Sequence, residues 1–340
     1  MIWLAWRQFR LPAAVAAGLL AALAAALAVT GPGIADAWTS GRAACAARGG
    51  DCATFAQEFF ADHRGGYLTL VVLVLAVPGL IGLFWGAPLV ARELEAGTHR
   101  LVWNQSVTRT RWLAVKLALV GAAAMAAAGL ASLAVGWWSR PVDAAGAADL
   151  PRMDPVLFDA RGLVPVAFAA FACALGVVAG MVARRTLAAM AVTLAGFALV
   201  QLAMPLLVRP HLLPPVVETV TVTRENLASF YAEGPDSPVR LDVKGPSGAW
   251  ILANETVDAA GRVVPTVPLY LTSGPCSEGD AGGPTAECVG RVGELGFRQR
   301  LTYHPAERFW PLQWAEAGVY AALTAGLAGF AFWWLRRRVS

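Results

Sequence analysis

The sequence predicts an all-α polytopic membrane protein with six transmembrane helices and a small strand-containing extracellular domain between helices 5 and 6. Three observations carry this. Apolar residues make up 57% of the 340-residue chain and charged residues 15%, whereas a soluble domain carries about 25% charged residues. Six long stretches hold no Asp, Glu, Lys or Arg at all, at 11–35, 65–91, 117–139, 162–183, 186–208 and 317–335. Each can cross a bilayer, because about 20 helical residues at roughly 1.5 Å rise span a hydrocarbon layer of about 30 Å. The next gap, 263–277, is shorter and is interrupted by Pro265, Pro268 and Pro275. With the N-terminus inside, twelve Lys and Arg fall in 1–10, 91–116, 184–185 and 336–340, and six in the outer loops 31–66 and 139–161. That bias orients the spans, with both termini cytoplasmic in the cell membrane.

Residues 1–10 mix Trp3, Trp6 and Phe9 with Arg7 and Arg10, which suits a helix lying in the inner interface. The first span is 11–30. A cleaved signal peptide ending near Ala35 and Ala37 is the alternative, although the apolar run exceeds a typical signal core. The outer loop 31–66 contains Cys45 and Cys52, and the long outer segment contains Cys276 and Cys288, so two local disulfides are the simplest pairing outside the cytoplasm. Cys173 falls inside the fourth span as a packing residue.

The second span, 67–90, holds Pro78, Gly79, Gly82, Gly86 and Pro88, which predicts a kinked or loosened helix. The third, fourth and fifth spans are 113–138, 162–183 and 186–208, with an outer loop at 139–161 and a tight inner hairpin at Arg184 and Arg185. Gly176 and Gly180 form a small-xxx-small pair, which permits close backbone approach. In 209–311, alternating residues at 216–223 and 240–244 predict strands punctuated by Pro and Gly. The sixth span, 312–335, precedes a tail at 336–340. Ten of the 13 tryptophans fall near span ends, where amphipathic rings settle.

Between the second and third spans lies 91–112, a segment of charges and helix punctuation. Gly97 suits the left-handed residue that closes a helix, while Thr98 and Thr108 suit caps of the helices that follow. The segment reads as helix end, short helix and helix start. Its Glu93 and Glu95 are the only acids inside, and with Arg100 and Arg109 they are candidates for contact with a cytoplasmic partner. A solvated loop with capping residues is the plainer alternative.

No catalytic site is visible. A P-loop needs Gly-Lys followed by Ser or Thr, and the two lysines, Lys116 and Lys244, each follow valine. His63, His99, His211 and His304 lack metal-site spacing, so no metal is expected. The six charge-free stretches contain no acid or base of the kind that binds a driving ion, and Glu316 stands at the outer edge of the last span. The lipid bilayer is a partner by composition, and no nucleic acid is expected.

Trp6-Arg7-Gln8-Phe9-Arg10, the run Arg92-Glu93-Leu94-Glu95-Ala96-Gly97-Thr98 followed by Ser106-Val107-Thr108-Arg109 and Lys116, and Arg308-Phe309-Trp310 before the last span together form a pattern. It resembles the permease subunits of ATP-binding-cassette (ABC) exporters of the second type, in particular actinobacterial members encoded apart from their ATPase. The resemblance covers essentially the whole chain. It implies that 91–112 carries a coupling helix docking on a separate ABC ATPase, that a second permease copy completes the substrate path, and that ATP and Mg sit on the ATPase rather than on this chain. The family's Pro-x-Ser-Arg element stands here as Ser-Val-Thr-Arg, which leaves open a contact at Ser106. A membrane-anchored receptor or assembly factor whose outer domain binds a ligand is the alternative function.

Overall fold

The six charge-free stretches all lie in helices long and apolar enough to cross a membrane. The computed structural model describes residues 2–49, 52–97, 108–147, 150–234, 237–272, 276 and 284–338. It divides the chain into two compact units, one of 1–212 with 310–340 and one of 213–309.

The spans of the first unit are α1 (Ile2–Ala47), α2 (Ala53–Glu95), α3 (Arg109–Trp138), α6 (Val164–Ala183), α7 (Thr186–Leu212) and α9 (Phe309–Arg338). Short helices α4 (Arg140–Ala145) and α5 (Pro155–Asp159) occupy the connection before α6. The 46 residues of α1 make it about 69 Å long at 1.5 Å per residue, more than twice a bilayer core. Segments read as an interfacial helix at 1–10 and a loop at 31–66 are thus mostly continuations of α1 and α2. Ala35, Ala37, Ala43, Ala44, Ala46 and Ala47 explain the extension, since alanine favours helix in water as in lipid. Charge ended the apolar run without ending the helix. The Cys45–Cys52 disulfide closes the turn between α1 and α2, with Cα atoms 5.9 Å apart.

α6 is the most enclosed span, and glycines explain why α2 lies so close against it. A Cβ added at Gly176 would fall 2.5 Å from the Ala87 nitrogen, and one at Gly86 2.6 Å from the Cys173 carbonyl. Gly82 and Gly180 are equally confined, so two glycine pairs four residues apart let the backbones touch. The loosened helix expected in α2 is a π-turn over Gly82–Gly86 at this crossing. A second π-turn, Met204–Val208, lies in α7. Each stops two residues short of a proline, Pro88 or Pro210, whose missing N–H removes a bond from the regular ladder.

The second unit contains the expected strands. β5 (Arg298–His304) is central in an antiparallel sheet between β1 (Val216–Val220) and β4 (Trp250–Val257), while β2 (Leu227–Tyr231) pairs with β3 (Arg240–Val243). Val216 faces Tyr303 in register, and a bulge interrupts β4 between Ile251 and Ala253. Val239, Leu241, Val267, Leu301 and the helix α8 (Ala286–Glu294) enclose its core, with the Cys276–Cys288 disulfide inside it. Buried Gln299 donates to the Leu241 carbonyl and to Asn254, cross-linking the two sheets.

Candidate functional site

The arginine-rich end of the first unit holds the stretch singled out in the sequence. α2 runs to Glu95 and is closed by Gly97, whose φ of +69° is the left-handed conformation that a Cβ disfavours. α3 starts after Thr108, whose hydroxyl accepts from the Arg111 N–H at 3.3 Å. Arg109 opens α3 from an exposed position. Thr98 and Arg100, with the short helix expected after Gly97, lie outside the described residues.

The two acids face different spans. Glu93 Oε1 accepts from Lys116 Nζ on α3 at 2.5 Å. Lys116 is 4% exposed, donates also to the Leu89 carbonyl at 3.2 Å, and lies over the Trp112 ring at 4.8 Å. A buried ammonium needs such partners, because leaving it unpaired in apolar surroundings is costly. Glu95 Oε2 instead accepts from the Thr186 N–H at 3.0 Å and the Thr186 hydroxyl at 2.7 Å. It thereby caps α7 from outside that helix, satisfying an N-terminal donor with a charge of the sign favoured there.

One helix end therefore holds two others. Beneath it, Val90, Trp112, Leu113, Met181 and Leu335 pack into a core shared by α2, α3, α6 and α9. At the same end, Arg184 donates to the Arg338 carbonyl at 3.0 Å. A cleft of about 260 Å³ lies beside the ion pair, lined by Gln8 and Phe9 of α1, Trp85, Arg92 and Glu93 of α2, and Lys116. Phe9 meets Trp85 edge-on at 4.9 Å, so α1 joins the same assembly.

Reading the sequence left Thr186 unassigned, although a threonine directly after Arg184 and Arg185, at the head of an apolar run, is a helix-start signal. Glu93 and Glu95 stand out in the sequence as candidates for contact with a cytoplasmic partner. Their bonds to Lys116 and Thr186 show that each also positions a helix within the chain. Among the described residues, the arrangement ties the end of α2 to α3 through one ion pair and to the start of α7 through one carboxylate cap.

A family model described as "ABC-2 membrane transporter related" matches residues 17–209, more than half of the chain. No curated protein and no solved structure matches it.

Proposed function

We propose a function from the premise that the chain belongs to the ABC-2 membrane transporter related family: it is a multi-pass transport permease driven by a separate ABC ATPase that docks on the segment after Gly97. The observation that carries this is the double anchorage of α2, through Glu93 to Lys116 on α3 and through Glu95 to Thr186 on α7. A docking segment works as a coupler only when its movement reaches several spans. Here the two helices that bracket it are bonded to each other and to one further helix, α7.

In this mechanism, ATP and its Mg are held by the ATPase, and closure of the ATPase dimer pushes on 98–107. α2 hinges at Gly82–Gly86, where the helix is already loosened against α6. The spans then exchange between inward- and outward-open states, a two-state equilibrium biased by a ligand on another chain. The termini and the coupling segment lie in the cytoplasm, and the second unit lies outside. Transport is export. The spans with the least buried surface, α1, α7 and α9, present apolar faces such as that of Leu194, Leu199 and Leu202 to lipid and to a second permease copy.

Purification of the tagged full-length chain from its own membranes in mild detergent tests the reading. Mass spectrometry is expected to find an ABC ATPase that cross-links to cysteines placed at 98–107. Recovery of the permease with no ATPase, or an ATPase whose turnover is indifferent to the permease, overturns it.

A further inference from the structure

Arg209 lies on α7 at the end opposite the coupling segment, directly after the second π-turn, and is fully buried. Its Nε donates to Glu316 Oε2 at 2.6 Å and its Nη2 to Glu316 Oε1 at 3.0 Å. Nη2 also donates to Asp159 Oδ1, and Nη1 donates to the Pro155 carbonyl at 3.3 Å. The Phe158 ring lies against the guanidinium, 4.4 Å from its carbon. One side chain thus joins α5, α7 and α9.

The charges of these three groups do not balance. Glu316 is fully buried and Asp159 nearly so, so two ionised carboxylates beside one guanidinium would leave a surplus negative charge shielded from water. Such a site favours the neutral form of one acid, as in any pair of carboxylates forced to share a pocket. Neighbouring groups sharpen this. On α5, Asp154 adds negative potential while capping the Val156 N–H at 3.0 Å. On α9, fully buried Tyr320 stands one turn beyond Glu316, close enough to interact electrostatically with all three groups, and its hydroxyl has no hydrogen-bond partner among the described residues. From α6, Phe168 packs edge-on against Tyr320 at 4.7 Å. Arg161, two residues after Asp159, is engaged elsewhere by Asp143 at 3.1 Å.

We propose that Arg209, Asp159 and Glu316 form a proton-binding site in which two carboxylates share one guanidinium and one proton, and whose occupancy sets how firmly α5, α7 and α9 are clamped together. The proton belongs to the pair. Burial pushes the Asp159 carboxyl up to about 7 against the pull of Arg209, with Glu316 and Asp154 adding to the rise. Loss of the proton leaves a net charge that the site does not solvate, and α5, which is short, is the element released.

Infrared difference spectroscopy of the full-length protein in lipid nanodiscs reads a protonated buried carboxyl directly. The expected wild-type result is one such band, lost as pH rises through about 7. Asp159→Asn and Glu316→Gln are each expected to abolish it, because removing either acid leaves Arg209 balanced, whereas Arg209→Lys retains it. Hydrogen exchange in α5, corrected for intrinsic rates, is expected to accelerate over the same pH change in wild type alone. Absence of the wild-type band, survival of the band in either folded neutral variant, or pH-indifferent protection of α5 overturns the proposal.

Discussion

Lys116 Nζ sits 2.5 Å from Glu93 Oε1, joining the last turn of α2 to the second turn of α3 in a pair whose side chains are 5% and 14% exposed. Removal of either charge costs the other its ion-pair partner. Lys116→Met alone and Glu93→Gln alone are expected to lower stability by about 3–5 kcal/mol, whereas the double variant recovers most of the loss. Thermal unfolding in one detergent, run as a double-mutant cycle, measures this. Equal and additive losses would show that the two side chains do not depend on each other.

Glu95 makes a different contact and predicts a different defect. Its carboxylate is exposed while bonding to Thr186, so Glu95→Ala is expected to leave the protein folded and inserted but to uncouple the start of α7. The measurement is ATP turnover of the reconstituted complex with and without transported substrate. Lost stimulation with normal assembly is the expected outcome, and Glu95→Gln, which keeps one acceptor oxygen, recovers part of it. Unchanged coupling in Glu95→Ala would remove this contact from the mechanism.

These two contacts mark how far the sequence was legible. Charge-free length located the spans because the bilayer imposes one requirement on all of them, and the caps at Gly97 and Thr108 were visible because capping is local. Partners were not. Thr186 is remote from Glu95 in the chain, and no periodicity links them. Arg209 and Glu316 border charge-free stretches of the sequence and Asp159 lies just ahead of another, yet the three meet inside the protein. Helix ends at 31–47 were misjudged for a related reason, since hydropathy reports where lipid ends and alanine content reports where helix ends.

The glycine crossing predicts an asymmetric response to alanine. At Gly176 the added methyl meets Ala87 nitrogen at 2.5 Å and Gly82 oxygen at 2.6 Å, both backbone atoms. Gly176→Ala is expected to force α2 away from α6 and to destabilise by about 1–3 kcal/mol, the usual range for overpacking. Gly121→Ala, where nothing lies within 4 Å, is the control and is expected to leave unfolding unchanged. A matching midpoint for the two variants would contradict the crossing geometry.

In the second unit, the bridge between Cys276 and Cys288 spans a separation of 12 residues. A loop of that order lowers unfolded-chain entropy, and its removal is expected to cost about 2–4 kcal/mol. Cys276→Ser with Cys288→Ser is therefore expected to expose β5 and α8 to protease at lower temperature, leaving the first unit's digestion pattern unaltered. Non-reducing peptide mapping checks the pairing itself, and a bridge to Cys173 would contradict it.

The last prediction concerns pH and follows from the sign of one shift. In the folded protein the Asp159 carboxyl is pushed up to about 7, mainly by burial, while an unfolded aspartate titrates near 3.9, so the folded state holds the extra proton between those values. Its contribution is fully present below about pH 4 and is lost as pH rises through about 7. Stability attributable to this site therefore falls with rising pH, by at most about 1.4 kcal/mol per unit for a single proton, and levels off above neutrality. Other carboxylates give the opposite slope, so the comparison that isolates the effect is wild type against Asp159→Asn across the series. The difference between their unfolding midpoints is expected to be smallest at acid pH, to move in favour of the variant that mimics the protonated form as pH rises from about 4 to about 7, and to stay constant above that. A pH-independent difference would mean that Asp159 holds no proton in the folded state.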